Sequence, residues 1–351
     1  TPPTGFLALC TSNLPDVAVT PSEHFNTILY DDGAGAKTGV GFQPDLVWLK
    51  SRGSVYDHKL TDAVRGVTEA IESNTTAAET TDSTGLTAFG ADGFTVGADT
   101  DYADTTGDGM VAWNWKANGS GSANAVGALA STVSVNTDAG FSIVKWTGDG
   151  NSTTIGHGLS KTPEMIITKA LEGAYHWAVY HKDSNATPED YYLYLSHTIA
   201  ASDYEMWNDT APTSSVFSVY DYVGINEDTK DFIAYCFHSV DGYSKVGEYV
   251  GNQNADGTFV YTGFRPAVVI AKNATFAEDW TIQDSARSPY NPVDIFSRPN
   301  GTNVENTGTA WIDILSNGFK MRNADTKIND SGETFVYAAF AETPFKYSNA
   351  R

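Results

Sequence analysis

Runs in which almost every position is apolar, led by a proline and closed by a lysine, recur along the chain. The first is Gly41-Phe42-Gln43-Pro44-Asp45-Leu46-Val47-Trp48-Leu49-Lys50. Thr162-Pro163-Glu164-Met165-Ile166-Ile167-Thr168-Lys169 repeats it, and so does Gly263-Phe264-Arg265-Pro266-Ala267-Val268-Val269-Ile270-Ala271-Lys272. Their prolines stand 119 and 103 residues apart. An aromatic-rich marker keeps the same rhythm in Val111-Ala112-Trp113-Asn114-Trp115, Ile233-Ala234-Tyr235-Cys236-Phe237 and Val336-Tyr337-Ala338-Ala339-Phe340, at steps of 122 and 103. Two independent markers in one register predict a unit of about a hundred residues written three times.

Within each copy, short runs of Val, Ile, Tyr, Trp and Thr alternate with Gly, Asn and Asp turns such as Asp92-Gly93, Asp241-Gly242 and Asn317-Gly318, the pattern of hairpin-linked strands. The fold class expected is all-β: three tandem homologous β-sandwich-like units with little helix. Residues 62–73 and 200–207 are the only stretches that read as short helices. The boundaries are a lead-in over 1–24, unit one over 25–119, a linker or crossing strand over 120–139, unit two over 140–241 and unit three over 242–351. Phe6, Leu7, Leu9 and Leu14 are expected to pin the lead-in onto unit one. The opening Thr1-Pro2-Pro3-Thr4-Gly5 reads as an interdomain linker, so a larger parent protein is expected.

Composition narrows the function classes. Forty-three acidic against 21 basic residues give a formal charge of -22, which repels phosphate backbones and anionic headgroups, so nucleic acid partners and membrane insertion are disfavoured. No apolar run approaches the ~18 residues that a membrane-spanning helix needs. Of the two cysteines, Cys236 alternates with Tyr235 and Phe237 and reads as a small core residue, and a disulfide to Cys10 is not expected.

Three constellations could carry chemistry. Asp99, Asp101, Asp104 and Asp108 fall within one short loop and could surround a calcium ion, although the loop lacks the EF-hand pattern and also reads as a solvated hairpin. Aromatics at repeated positions, such as Trp113 and Trp115, read as core. Those found in the loops of single units, namely Tyr56, Tyr102, Tyr175, Tyr191, Tyr204, Trp207 and Tyr290, read as exposed candidates for stacking on a sugar or receptor. His176 and His181 are five apart and so face opposite sides of a strand, which excludes a shared metal. His157 has no partner visible in the sequence. Arg65 and Arg287 stand at matching positions behind Asp62 and Asp284 and read as structural ion pairs. No nucleophile elbow, zinc motif or phosphate loop is present.

Thr1 to Pro15, the proline-led runs, Gly257-Thr258-Phe259-Val260-Tyr261-Thr262-Gly263-Phe264-Arg265-Pro266 and the ending Ala339-Phe340-Ala341-Glu342-Thr343-Pro344-Phe345-Lys346-Tyr347-Ser348-Asn349-Ala350-Arg351 together resemble the C-terminal repeat region of tail-fibre and virion-appendage proteins of marine, cyanophage-like phages. The resemblance implies an extracellular-facing virion location and a non-enzymatic module that attaches to a host-cell surface glycan or receptor. The alternative is a structural capsid-decoration or fibre-assembly protein that binds only other virion proteins. A glycan depolymerase is the third reading, and it would need a cleft of converging carboxylates. No cofactor beyond the candidate calcium is expected. A fibre block of this kind is expected to form a homotrimer, or else the three units of one chain imitate such a trimer and the protein is monomeric there.

Overall fold

The computed structural model describes Asn13, residues 17–31 and residues 33–347. The expected docking of Phe6, Leu7, Leu9 and Leu14, and the status of Cys10, lie outside the described residues. The chain is nearly all β, with antiparallel strands throughout. Residues 25–115 form β1 (Phe25–Tyr30), β2 (Gly35–Thr38), β3 (Leu46–Ser51), β4 (Lys59–Asp62), β5 (Glu69–Glu72), β6 (Thr80–Thr81), β7 (Leu86–Gly90), β8 (Gly93–Val96) and β9 (Met110–Trp115). They make a large sheet in the order β1-β9-β3-β4-β5-β6 and a small one, β2-β8-β7.

Residues 122–237 form β10 (Ser122–Asn124), β11 (Ser131–Asn136), β12 (Phe141–Thr147), β13 (Thr153–Gly156), β14 (Met165–Ala170), β15 (Ala178–His181), β16 (Tyr191–Tyr194), β17 (Ser202–Asp203), β18 (Val216–Val219), α1 (Val223–Asn226) and β19 (Asp231–Phe237). The large sheet runs β10-β11-β12-β19-β14-β15-β16-β17 and the small one pairs β13 with β18. The remainder supplies β20 (Ser244–Val250), β21 (Phe259–Tyr261), β22 (Phe264–Asn273), β23 (Thr281–Asp284), β24 (Ile312–Leu315), β25 (Gly318–Met321), α2 (Thr326–Asn329) and β26 (Thr334–Pro344). Its sheets are β20-β26-β22-β23 and β21-β25-β24.

Each proline-led run is a strand hydrogen-bonded to the aromatic strand of its own copy: β3 to β9, β14 to β19 and β22 to β26. Both faces of these strands are buried, which is why the runs lack polar alternation. One face of each large sheet lines a common interior. Trp48, Trp113, Ile167, Tyr235, Ile270 and Ala338 all belong to it, although they come from three different sheets. The opposite faces pack on the small sheets, giving separate outer cores around Val47, Ala112 and Phe94, around Ile166, Cys236 and Phe217, and around Val269, Ala339 and Phe319.

The common interior has a centre. Trp115, Phe237 and Phe340, which end the three aromatic markers, meet edge to face with ring centroids 6.4, 5.5 and 5.6 Å apart. Around them the three stretches of chain close a ring through equivalent backbone bonds. The Glu79 N–H donates to the Leu171 carbonyl at 2.8 Å, Ala201 to Ala274 at 2.7 Å and Glu305 to Arg52 at 2.9 Å. Side chains close the same ring with donors running the opposite way round. Trp177 Nε1 donates to the Glu72 carbonyl and Trp280 Nε1 to the Tyr194 carbonyl, at 2.7 and 2.8 Å. Arg52 completes the circuit with two bonds to the Glu305 carboxylate.

The expected helices are not where the sequence placed them. In residues 62–73 the apolar spacing is helical, but Asp62 Oδ1 accepts the N–H groups of Val64 and Arg65, forming a tight turn. Gly66 and Thr68 follow with φ of 106° and 68°, and the chain leaves as β5. Residues 200–207 form the two-residue β17 and turns. Among the described residues the α-helices are α1 and α2, of four residues each. The Gly/Ser stretch at residues 118–124 ends as β10, so it is partly a sheet edge instead of a free linker.

Candidate functional site

The four aspartates read as calcium ligands do not converge. Asp99 Oδ1 accepts the Asp101 N–H, and Asp104 is buried, accepting from Ser51 and Thr106. The exposed Asp108 accepts from Thr106. Only Asp101 joins a carboxylate group, with Asp57 and Glu72, whose oxygens lie within 4.8 Å of one another. Lys59 supplies the positive charge there, its Nζ 2.7 Å from Glu72 and 3.0 Å from Asp101. An ammonium thus does locally what the sequence suggested for a cation, and the loop aspartates serve as turn acceptors.

The loop aromatics divide. Trp207 and Tyr102 are each 1% exposed, contrary to the expectation that loop aromatics face solvent. Trp207 packs edge to face on Tyr180 and donates through Nε1 to the Tyr191 carbonyl. Tyr102 lies among the outer core of the first sandwich. Each of these two rings fills space in the outer core of its own sandwich instead of facing solvent. Tyr290 is 74% exposed and Tyr56 half-buried.

Tyr175 and Tyr204 gather at one end of the second sandwich, without Tyr191 and in company the sequence reading missed. The Tyr204 ring lies 5.4 Å from Tyr222, 6.2 Å from Tyr220 and 6.5 Å from Tyr192, and Tyr192 lies 4.7 Å from Tyr194. His176 stacks on Tyr194 at 4.6 Å, with His197 edge-on. Strand alternation puts Tyr192 and Tyr194 on one face of β16, with Tyr191 on the other beside the buried Leu193. The available signal was the spacing Tyr192-Leu193-Tyr194 and Tyr220-Asp221-Tyr222, two rings two residues apart in each case. Between Tyr175, His176, Tyr194 and Tyr222 lies a recess of about 110 Å³ floored by Ala178 and Met206.

Carboxylates surround this tyrosine rim. Tyr175 Oη donates to Glu227 at 3.4 Å, and Glu205 accepts from the Tyr220 hydroxyl, which raises that phenol's pKa. The Asp209 carboxyl is raised by loss of water and then by Asp190, Glu205, Asp203 and Glu189. Flat apolar ring faces next to acceptor oxygens suit a ligand with C–H faces and many hydroxyl donors. His176 Nδ1 also lies 2.9 Å from Ser196 Oγ, in the manner of a base and nucleophile. Among the described residues no carboxylate bonds to the ring to orient it, as acyl-transfer chemistry requires.

His157 and His181 are buried and bonded to the backbone. Leu159 N–H donates to His157 Nδ1, which leaves the proton on Nε2 to reach the Thr213 carbonyl. His181 is held in the same way by Asp183 N–H and the Tyr337 carbonyl. Burial pushes both rings down to about 4. His181 occupies the β15 position equivalent to Asp62 in β4 and Asp284 in β23, which pair with Arg65 at 2.5 Å and Arg287 at 2.6 Å. Tyr235 Oη and Trp113 Nε1 reach those two aspartates from neighbouring sheets. The lysines that close the proline-led runs, Lys50, Lys169 and Lys272, are fully buried and donate to backbone carbonyls.

No curated protein and no solved structure matches the chain significantly. Residues 20–344, which take in every strand of the ring, match the family model described as Domain of unknown function (DUF7483), and the chain belongs to that family.

Proposed function

We propose that the chain is a non-enzymatic attachment block of a virion appendage, and that it grips a host-surface glycan through the tyrosine rim of the second sandwich. What supports the reading is that Tyr175, Tyr192, Tyr194, Tyr204, Tyr220 and Tyr222 crowd one solvent-facing end, whereas the aromatics at repeated positions are spent on the core. Sugars stack their C–H faces on such rings, and Glu205 and Glu227 stand where hydroxyl donors would need acceptors. The virion setting rests on the sequence resemblance to tail-fibre repeats.

Glycan-array binding by the parent chain, followed by Tyr204→Ala and Tyr222→Ala, tests the rim. Tyr204 is 41% exposed, so its truncation should leave the melting temperature in place and lower binding at least about ten-fold, the size of one lost stacking contact. Retained binding to glycans or host cells by both variants would remove the rim from the reading. Trp207→Ala is unsuitable as a probe, because that ring is buried.

A further inference from the structure

Among the described residues, the second sandwich is closed on one side by a piece of its own chain, and the third is not. In the second, β11 pairs with β12, the edge of the large sheet, while Gly127 and Leu129 just before it bridge to Ile155 in β13 of the small sheet. Val133 of that segment, with Leu129 and Val135 at its margin, fills the space between the two sheets. In the third sandwich, β20 and β21 hold the equivalent places and are the outermost strands of their sheets. The chain reaches β20 from β19 through residues 238–243, too short a path to supply a covering hairpin. Between β20 and β21 remains a groove of about 410 Å³ lined by residues 245–250, 258–261 and Tyr337, with Lys182 of the second sandwich at its wall. Val250, Phe259 and Tyr261 beside it are 51%, 45% and 60% exposed.

The edge is open for pairing at its middle, around Glu248, while the Val250 carbonyl at its far end accepts from Thr258 Oγ1. Ser244 exchanges backbone bonds with Val240 and Val246 N–H goes to Ser239 Oγ, so the even-numbered residues of β20 point their backbone groups away from β26. Glu248 therefore offers its N–H and C=O outward, and among the described residues neither has a backbone partner. We infer that β20 is a docking edge for an extended strand of another protein, which adds to the sheet as β11 adds to β12. The register follows from the pairing of Phe141 with Phe237 and of Ser244 with Phe340. Across from Val144, β11 places Val133, and the residue of β20 equivalent to Val144 is Gly247. The Tyr337 ring covers Gly247 where the smaller Ala234 stands beside Val144, so the occupant is a strand alternating small polar residues with apolar ones, as β11 does. This inference does not depend on the tyrosine rim.

The probe is a synthetic peptide copying residues 127–137 of this chain, titrated into the full chain and followed by backbone amide NMR. Saturable shifts at residues 244–250 and 258–261 are expected. Glu248→Pro removes only the outward N–H, a change that edge strands tolerate, and should weaken binding at least ten-fold, while Glu248→Ala binds like the parent. A peptide N-methylated at its Ser134 nitrogen, which faces the edge, should fail where one methylated at its Val135 nitrogen succeeds. No binding, shifts confined to other surfaces, indifference to the position of the methyl group, or a chain that instead dimerises through β20 would each overturn the inference.

Discussion

Lys50, Lys169 and Lys272 show how a charged residue can sit in an interior without a carboxylate against it. Each Nζ donates to peptide carbonyls: Lys272 to Thr198, Asn273 and Phe276, Lys169 to Thr76 and Tyr175, and Lys50 to Ser51 and Ser54. Burial pushes their pKa values down to about 7, about 8 and about 8, respectively. Because the folded values lie below the ordinary 10.5, the unfolded chain holds more protons between those limits, and this contribution to stability rises with pH from about 7 toward 10. Lys272→Met leaves carbonyls unpaired and should cost about 1–3 kcal/mol at neutral pH. Denaturant titrations from pH 7 to pH 9.5 should show a shallower rise in the variant than in the parent; parallel curves would mean that Lys272 does not titrate in this range. The histidines act in the same sense on the acid side. His157 and His181 are held neutral, so their contribution is present above about 6.5 and is lost as pH falls toward 4. None of this was legible in the sequence, where a lysine ending an apolar run looks like a strand terminus reaching solvent.

At the scale of elements, strands were easier to read than their surroundings. The runs ending in Lys50, Lys169 and Lys272 are buried on both faces, so composition alone exposed them, and Trp113 and Trp115 share a face as period-two alternation requires. Turns were harder, because a carboxylate such as Asp62 can capture two N–H groups and redirect a helical pattern. The tyrosine rim was half legible. Tyr175 and Tyr204 were singled out as loop residues, whereas Tyr192, Tyr194 and Tyr222 come together only through sheet order and the turn before α1. The three-ring contact of Trp115, Phe237 and Phe340 gives the sharpest test at this scale. Phe340→Ala empties a site that also touches Phe25 and Tyr243, and should cost about 3–5 kcal/mol by chemical denaturation. Val55→Ala, at a residue 68% exposed, should stay within about 0.5 kcal/mol.

The whole molecule behaves as one cooperative body if the ring contacts mean what their equivalence suggests. The interior shared by three large sheets belongs to none of them alone, and removing one stretch of chain would expose the faces of the other two. Calorimetry of the intact chain should give a single transition with matching calorimetric and van't Hoff enthalpies. A fragment ending at Asp241 lacks Val268, Ile270 and Phe340 and should aggregate or melt without cooperativity; a soluble, sharply melting fragment would show that the sandwiches are independent. Closure by one chain also has a consequence for how many ligands a ring can hold. Three identical subunits would present every surface feature in triplicate, but here the loops differ, and the tyrosine-lined recess exists once per ring. Under the proposed attachment role, engagement through it is monovalent, and avidity for a cell would come from how many such chains one particle displays.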